Sequence, residues 1–157
     1  MLVLIQSISK QIDLPIVAAG GIVDGKGMAS VFAAGAEGIQ MGTRFVSSAE
    51  SPVHSNFKNT IVNSSIDGTL ILNKKAKPVI RALKTELTEK IDQIGEMDMS
   101  ALMKIKELYF DGNMNAAPAL SGQSVGLIDQ VKNVKDIIDE TINEFNKVCK
   151  DMGKIKF

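Results

Sequence analysis

Residues 16–45 decide the fold, and they read IVAAGGIVDGKGMASVFAAGAEGIQMGTRF. Residues 16–19 are a short, continuously apolar run, and a second short run covers residues 38–42. An uninterrupted apolar run of this length is typical of a strand that is buried on both faces of a parallel sheet. Between the two runs, Asp24 is a suitable N-cap for a helix over residues 25–34. The stretch therefore predicts two parallel strands that are joined by a helix.

The chain on either side of this stretch is predicted to be mostly helical. Apolar residues recur there at helical spacing, and proline or glycine stands at several segment ends. Helices are predicted over residues 1–12, from Ser51 with Pro52 in the first helical position, from Pro78 through Ile94, over Ser100–Asp111 and over residues 134–152. Residues 64–73 are expected to be a loop with at most a short extended segment. The fold class is therefore α/β, with βα units in the first third and helices afterwards.

Composition narrows the class of protein. The chain has 157 residues, of which 45% are apolar and 23% charged, and these values fit one globular domain. The 18 basic and 18 acidic residues leave no basic excess, which argues against a nucleic-acid partner. No apolar run approaches the roughly 20 residues that a membrane-spanning helix needs, so no membrane partner is expected. The single cysteine, Cys149, cannot form an internal disulfide; it predicts a cytoplasmic location and is itself expected in the core.

Glycines accompany the ends of both predicted strands. Gly20 and Gly21 follow the first strand, and Gly42 ends the second with Thr43 beside it. Glycine lets a ligand approach backbone amides closely, and exposed amides at the ends of parallel strands suit a phosphate group. Two adjacent strand ends of this kind predict a phosphate clamp. The alternative is that the glycines only permit tight turns.

A P-loop is a competing interpretation of the first of these turns. Residues 20–26 satisfy the pattern G-x-x-x-x-G-K. However, Gly27 occupies the place of the Ser or Thr that binds magnesium in a P-loop. A P-loop is therefore disfavoured.

Two other features are candidates for a site. His54, the single histidine, has no second histidine or cysteine nearby, so no metal site is predicted, and His54 is expected to be an exposed residue at a helix start. Residues 122–126 read GQSVG, in which glycines bracket polar side chains. This segment is either a helix boundary or part of a site.

Residues 16–45 closely resemble the FMN-binding half of the nitronate monooxygenase family, formerly called the 2-nitropropane dioxygenases. This family shares its fold and motifs with enoyl-acyl-carrier-protein reductase II. The resemblance extends to residues 49–51, His54, residues 79–83 and residues 122–127. It implies an FMN-dependent (β/α)8 TIM barrel, of which this chain would be the C-terminal part, with the last two strands followed by a mostly helical segment.

The resemblance also assigns residues to FMN. It implies that Gly20 and Gly21 end the seventh barrel strand, with the Gly21 amide donating to the FMN phosphate. Four residues at the end of the eighth strand would complete the phosphate grip: Gln40, Met41, Gly42 and Thr43. Residues 1–50 would then be the C-terminal βα units of an FMN-binding barrel. Residues 51–157 would be its helical remainder, with a C-terminal extension that packs on it.

The catalytic histidine of the family is not expected in this chain. Family members are about twice as long, in line with the roughly 250 residues that are typical of such barrels. The resemblance therefore implies that the chain is a C-terminal piece and that the catalytic histidine precedes it. His54 follows the phosphate turns and cannot inherit that role, so no catalytic residue is predicted here.

The leading functional hypothesis is a fragment of an FMN-dependent oxidoreductase that oxidises alkyl nitronates with oxygen. An alternative is an FMN-dependent enoyl-acyl-carrier-protein reductase II, for which NAD(P)H would be a further partner. Both enzymes take a small-molecule substrate, either a nitronate or an enoyl thioester, and a homo-oligomer is a candidate assembly. A further alternative is a non-catalytic binding or assembly module, whose amphipathic segments over residues 80–94 and 134–152 would face a partner.

Overall fold

A computed structural model describes residues 1–156 of the chain. The α-helices and β-strands alternate at first and then become mainly helical. In chain order they are α1 (Leu2–Ser9), β1 (Val17–Ala19), α2 (Gly25–Ala33), β2 (Gly38–Gln40), α3 (Thr43–Val46), α4 (Ser55–Val62), β3 (Thr69–Leu72), β4 (Ile80–Leu83), α5 (Glu86–Ile94), α6 (Ile105–Phe110) and α7 (Val134–Met152), with 3-10 helices at Met99–Lys104 and Gln123–Leu127. No helix within residues 1–156 is both long and apolar enough to span a bilayer.

The residues group into two compact units. Unit 1 consists of Met1–Gly42 together with the C-terminal residues from Asn133 onwards, and unit 2 consists of Thr43–Lys132. These units are defined by contacts between residues of the chain. The predicted division at residue 50 separates barrel units from a helical remainder, so the two compact units do not test it and it stays a prediction.

Unit 1 contains the two strands and the helix that residues 16–45 predicted. β1 and β2 pair in parallel, with Val17 opposite Gly38 and Ala19 opposite Gln40. The side chain of Asp24 accepts a hydrogen bond from the Gly27 amide at 2.8 Å and caps α2, which confirms the predicted N-cap. The core of the unit is small and aliphatic, and its buried members are Ile5, Ala18, Ile22, Val31, Ala34 and Ala36.

Helices α2 and α7 make a close backbone contact inside unit 1. A Cβ added at Gly25 would lie 2.3 Å from the Phe145 amide nitrogen and 2.5 Å from the Thr141 carbonyl oxygen. The rings of Phe32 and Phe145 pack edge to face, with their centroids 5.2 Å apart. Glycine at position 25 therefore allows the two helices to approach each other.

Helix α1 has more apolar residues than it buries. Ile5 is buried, whereas Leu2, Val3 and Leu4 are 48%, 80% and 61% exposed. The predicted helix over residues 1–12 is confirmed in its central part, Leu2–Ser9. Its contribution to the core of unit 1 comes mainly from Ile5.

Unit 2 contains a β-hairpin that the sequence did not predict. β3 and β4 pair antiparallel, with Thr69 opposite Leu83. The prediction of a continuous helix from Pro78 through Ile94 is wrong, because its first part is β4 and the helix α5 begins only at Glu86. Thr85 caps α5 through a reciprocal capping box with Thr88. Strand pairing satisfies the backbone groups before that cap, and it overrides the helical spacing of the apolar residues.

Two smaller expectations in unit 2 need correction. Helix α4 begins at Ser55 and not at Ser51–Pro52, because the His54 backbone is extended and its Nδ1 accepts a hydrogen bond from the Asn56 amide at 3.1 Å. The segment Ser100–Asp111 is helical but divided between a 3-10 helix and α6.

Cys149, on α7 of unit 1, is exposed rather than part of the core. The buried positions of α7 are Ile137 and Thr141. Cys149 lies twelve residues after Ile137 and eight after Thr141, which turns it away from that buried line at 3.6 residues per turn.

Candidate functional site

The ends of β1 and β2 lie at the same edge of the two-stranded sheet in unit 1. The strands are parallel, and their last residues, Ala19 and Gln40, are partners in the register. The glycines that follow β1 and the residues that follow β2 therefore leave the sheet side by side. This register brings together five of the six predicted binding residues, namely Gly20, Gly21, Gln40, Met41 and Gly42.

The two glycines after β1 have backbone conformations that favour glycine. The φ angles are +105° at Gly20 and +72° at Gly21, and both lie in the left-handed region that other L-residues rarely adopt. No described atom lies within 4 Å of a Cβ added at either position. The turn thus exposes backbone on its open side, and crowding does not explain these glycines.

Gly42 is less constrained by the chain than the other two glycines. Its φ angle lies outside the left-handed region, and an added Cβ would meet no described atom within 4 Å. Neither backbone strain nor packing within residues 1–156 therefore requires glycine at this position. Among the same residues, the amides of Gly21 and Gly42 donate to no protein acceptor. Two open amide donors at one sheet edge can bind an anion.

The remaining predicted residues differ in exposure. Gln40 is exposed, whereas Met41 is half-buried and packs against the aliphatic core of unit 1. Met41 can therefore contribute its backbone to a ligand while its side chain supports the strand end.

Thr43 is the first residue of α3, and it belongs to unit 2. Its Oγ1 accepts a hydrogen bond from the Gly122 amide at 2.8 Å. The next residue, Arg44, is buried, and its Nη2 donates to the Gln130 carbonyl oxygen at 3.0 Å. Two hydrogen bonds therefore link the segment after Ser121 to the first two residues of α3. Sequence reasoning singled out residues 122–126 but did not connect them with Thr43.

Comparison with known proteins identifies the family of the chain. The family profile described as "Nitronate monooxygenase" matches residues 1–144 of the chain. The chain belongs to the nitronate monooxygenase family. Members of this family are oxidoreductases and are generally flavin-dependent.

Individual relatives support the membership. The chain is 30% identical to a probable nitronate monooxygenase from Staphylococcus saprophyticus, over 92% of this chain and 42% of that protein. It is 38% identical to FabK from Thermotoga maritima, whose structure matches with a TM-score of 0.91 over 98% of this chain and 51% of FabK. Nitroalkane oxidase from Streptomyces ansochromogenes matches with a TM-score of 0.81 at 20% identity, over 96% of this chain and 45% of that one, and it shows the fold alone.

These matches establish an α/β fold of the TIM-barrel type that the nitronate monooxygenase family shares with FabK. The chain spans about half the length of the relatives that it matches.

The single histidine is used structurally in this member of the family. His54 is half-buried rather than exposed as expected, and its Nδ1 accepts the Asn56 amide hydrogen bond at the start of α4. Its ring packs against Gly112, where an added Cβ would lie 2.2 Å from Nδ1. No group of three or more metal-ligating side chains occurs within residues 1–156.

Neighbouring side chains shift the pKa values of Asp67, Asp98 and Lys135. The Ser65 hydroxyl, with a smaller contribution from Lys84, holds the pKa of the Asp67 carboxyl below its usual range. A hydrogen bond from Ser100 lowers the pKa of Asp98, and Asp139 raises the pKa of Lys135. These three groups are exposed and lie outside the segments that follow β1 and β2.

Proposed function

We propose that the chain supplies the phosphate-binding end of an FMN-dependent oxidoreductase that oxidises alkyl nitronates with oxygen. Membership in the nitronate monooxygenase family supports the reaction class, and the relative from Staphylococcus saprophyticus carries that name. The chain spans about half the length of the relatives that it matches. The proposed activity is that of a whole protein of this family.

The observation that carries the proposal is the open glycine two residues after the end of β2. Nothing in the described chain requires glycine at position 42, and a ligand lying against the Gly42 amide would require it. Gly21 likewise lies two residues after the end of β1, whose last residue Ala19 is the register partner of Gln40. Hydrogen bonds to a charged group contribute about 1.5–3 kcal/mol each, so two such donors account for substantial affinity for a phosphate dianion.

Each proposed residue has a separate task. The amides of Gly21 and Gly42 would donate to phosphate oxygens, and the positive φ angles of Gly20 and Gly21 hold the turn open. Gln40 and Met41 would set the course of the chain into Gly42, and the Thr43 hydroxyl would be a further donor. When bound, the flavin supplies the redox chemistry, accepting electrons from the substrate.

We assign no catalytic residue to these 157 residues. His54 accepts a backbone amide and packs against Gly112, which leaves Nδ1 occupied. The proposed catalytic base is a histidine that precedes the phosphate-binding turns in the sequences of the family. In the same proposal β1 and β2 are the last two barrel strands, residues 1–50 are the βα units that hold FMN, and residues 51–157 pack on the barrel. The proposed protein is cytoplasmic.

Reduction of an enoyl thioester is the second candidate function. The 38% identity with FabK and the TM-score of 0.91 favour it, because FabK is an enoyl-acyl-carrier-protein reductase. In this case NAD(P)H would deliver the electrons to the flavin, and the phosphate grip would be the same. The strand ends do not discriminate between the two substrates.

Two measurements on the intact protein test these functions. The visible absorbance of oxidised flavin, before and after incubation with FMN, reports cofactor uptake. A protein that takes up no FMN contradicts both enzyme functions and favours a binding or assembly module. For a protein that binds FMN, oxygen consumption with an alkyl nitronate supports the first function. NAD(P)H oxidation that depends on an enoyl thioester, without nitronate turnover, supports the second.

A further inference from the structure

The Thr43 hydroxyl accepts one hydrogen bond, and its own hydrogen has no acceptor within residues 1–156. Its Oγ1 accepts the Gly122 amide at 2.8 Å, across 79 residues of sequence. A hydroxyl has one hydrogen to donate and two lone pairs to accept with. Because the amide occupies a lone pair, the hydroxyl hydrogen has to point elsewhere. Within residues 1–156 it donates to no protein acceptor.

Gly122 reaches Thr43 because it carries no side chain. Its backbone is extended, with φ −76° and ψ 163°, a conformation that any residue adopts. A Cβ at this position would lie 3.3 Å from Thr43 Oγ1 and 3.5 Å from Ser124 Oγ. Glycine is therefore explained here by the close approach to the Thr43 hydroxyl and not by backbone strain.

The segment that carries Gly122 is itself fixed within unit 2. A Cβ at Gly126 would lie 2.5 Å from the backbone nitrogen and Cα of Ile66, so the two backbones are in close contact. Val125 is completely buried, and the Ser121 amide donates to the Arg81 carbonyl oxygen at 3.2 Å. The Gly122 amide therefore lies on a segment that is fixed both before and after it, which makes this amide a preorganised donor.

We infer that Gly122 is a positioning residue for the flavin phosphate: its amide holds the Thr43 hydroxyl so that the hydroxyl hydrogen is directed at a phosphate oxygen. This inference rests on the proposed function. Gly122 acts through Thr43 and does not itself bind the cofactor. The arrangement also couples the two hydrogen bonds, because a hydroxyl that donates to an anion becomes a stronger acceptor for the amide behind it.

The test compares FMN with riboflavin, which has the same ring system and no phosphate. In Thr43→Val the shape is kept and the hydroxyl is lost, so FMN affinity should fall about tenfold or more, while riboflavin affinity stays unchanged. Thr43→Ser keeps the hydroxyl and should retain an FMN-to-riboflavin affinity ratio close to that of the unaltered protein. Gly122→Ala places a methyl group against Thr43 Oγ1, and the ratio should fall by a smaller factor.

A second readout does not depend on turnover. The amide proton of Gly122 should shift downfield in NMR spectra when FMN is added, and riboflavin should not cause this shift. In Thr43→Val the same amide should lose protection from hydrogen exchange with or without flavin. Thr60→Val is the matched control, because the Thr60 hydroxyl donates to the Asn56 carbonyl oxygen within its own helix, and the ratio should not change.

The two proposals fail in different ways. If FMN binds and Thr43→Val leaves the FMN-to-riboflavin ratio unchanged, the inference about Gly122 is overturned and the proposed function stands. An unchanged Gly122 amide shift on FMN binding also overturns it. If the intact protein binds neither flavin, the proposed function is overturned and the inference with it, even where the Gly122 amide remains protected.

Discussion

In each of the two compact units, a glycine amide is bonded to a side chain far away in the sequence. In unit 1 the Gly25 amide donates to Glu144 Oε2 at 2.9 Å, across 119 residues. In unit 2 the Gly122 amide donates to Thr43 Oγ1 at 2.8 Å, across 79 residues. In both cases the bond fixes the start of a helix that follows a strand end, α2 in unit 1 and α3 in unit 2.

The acceptor differs between the two units, and in our proposal this difference separates a structural bond from one that serves ligand binding. The carboxylate of Glu144 can only accept, and its second oxygen lies 3.5 Å from the Lys26 ammonium. Both of its oxygens therefore have partners within the unit. The hydroxyl of Thr43 accepts one hydrogen bond and retains a hydrogen that we propose it donates to a ligand. Similar long-range bonds thus lead to different expectations for mutation.

The largest effect is expected for Gly25→Ala. The new methyl group would meet backbone atoms of α7 at 2.3 and 2.5 Å, and backbone cannot move aside as a flexible side chain can. The helices α2 and α7 would have to separate, so the free energy of unfolding should fall by about 3 kcal/mol or more. Urea unfolding followed by circular dichroism measures this change.

Gly153→Ala is the control for this substitution. Its added methyl group would lie 3.6 Å or more from described atoms, which is ordinary van der Waals contact. The stability of this variant should stay within about 1 kcal/mol of the unaltered protein. Equal losses in the two variants would show that the α2–α7 contact does not explain Gly25.

The next largest effect is expected for Gly42→Val, on affinity and not on stability. Branched carbons at position 42 have free space in the chain, but they would stand against a phosphate at the proposed site. Loss of one or two hydrogen bonds to a charged group should weaken FMN binding about tenfold to a hundredfold. Fluorescence titration with FMN measures this affinity.

His54→Ala should give the opposite pattern to Gly42→Val. It removes the acceptor that caps α4, so stability should fall by about 1 kcal/mol while FMN affinity is unchanged. A loss of FMN affinity that is as large in His54→Ala as in Gly42→Val would argue against the assigned phosphate grip.

A pair of variants distinguishes the two roles of Glu144. Glu144→Gln keeps an acceptor for the Gly25 amide and loses only the pair with the exposed Lys26, so stability should change by less than about 1 kcal/mol. Glu144→Ala also leaves the Gly25 amide without this acceptor and should cost about 1.5–3 kcal/mol. Neither variant should lower the FMN-to-riboflavin affinity ratio. A lower ratio would make Glu144 a contributor to the site and remove the contrast with Thr43.

The smallest effect is expected for Ser121→Ala. The Ser121 hydroxyl is buried and has no hydrogen-bond partner among residues 1–156. A buried polar atom without a partner destabilises the folded state, so alanine should leave stability unchanged or raise it by about 1 kcal/mol. FMN affinity should stay constant. Weaker FMN binding in this variant would place the hydroxyl in the site beside Gly122.

The part of the fold that could be predicted is the part that depends on local signals. β1, α2 and β2 follow from apolar runs and a cap within residues 16–45, and Asp24 indeed caps α2 through Gly27. β4 could not be predicted in this way. Its residues have helical spacing, and they are extended because β3 pairs with one edge and Ala119 accepts the Leu83 amide on the other.

The candidate site shows the same limit. Glycines at two strand ends are visible in the sequence, and the parallel register brings those ends to one edge of the sheet. The bond between Thr43 and Gly122 spans 79 residues, and no local pattern marks either partner for the other. Sequence reasoning also placed His54 near a helix start, but its packing against Gly112 depends on a residue far along the chain.

The exposed thiol of Cys149 makes the chain suitable for labelling at a single defined position. It is the only cysteine in the sequence, and it lies on the exposed side of α7. A maleimide fluorophore or a nitroxide attached there would report the mobility of α7 without a background of other thiols. The same thiol can form a disulfide between two molecules in air, and a reducing agent therefore has to be present when self-association is measured.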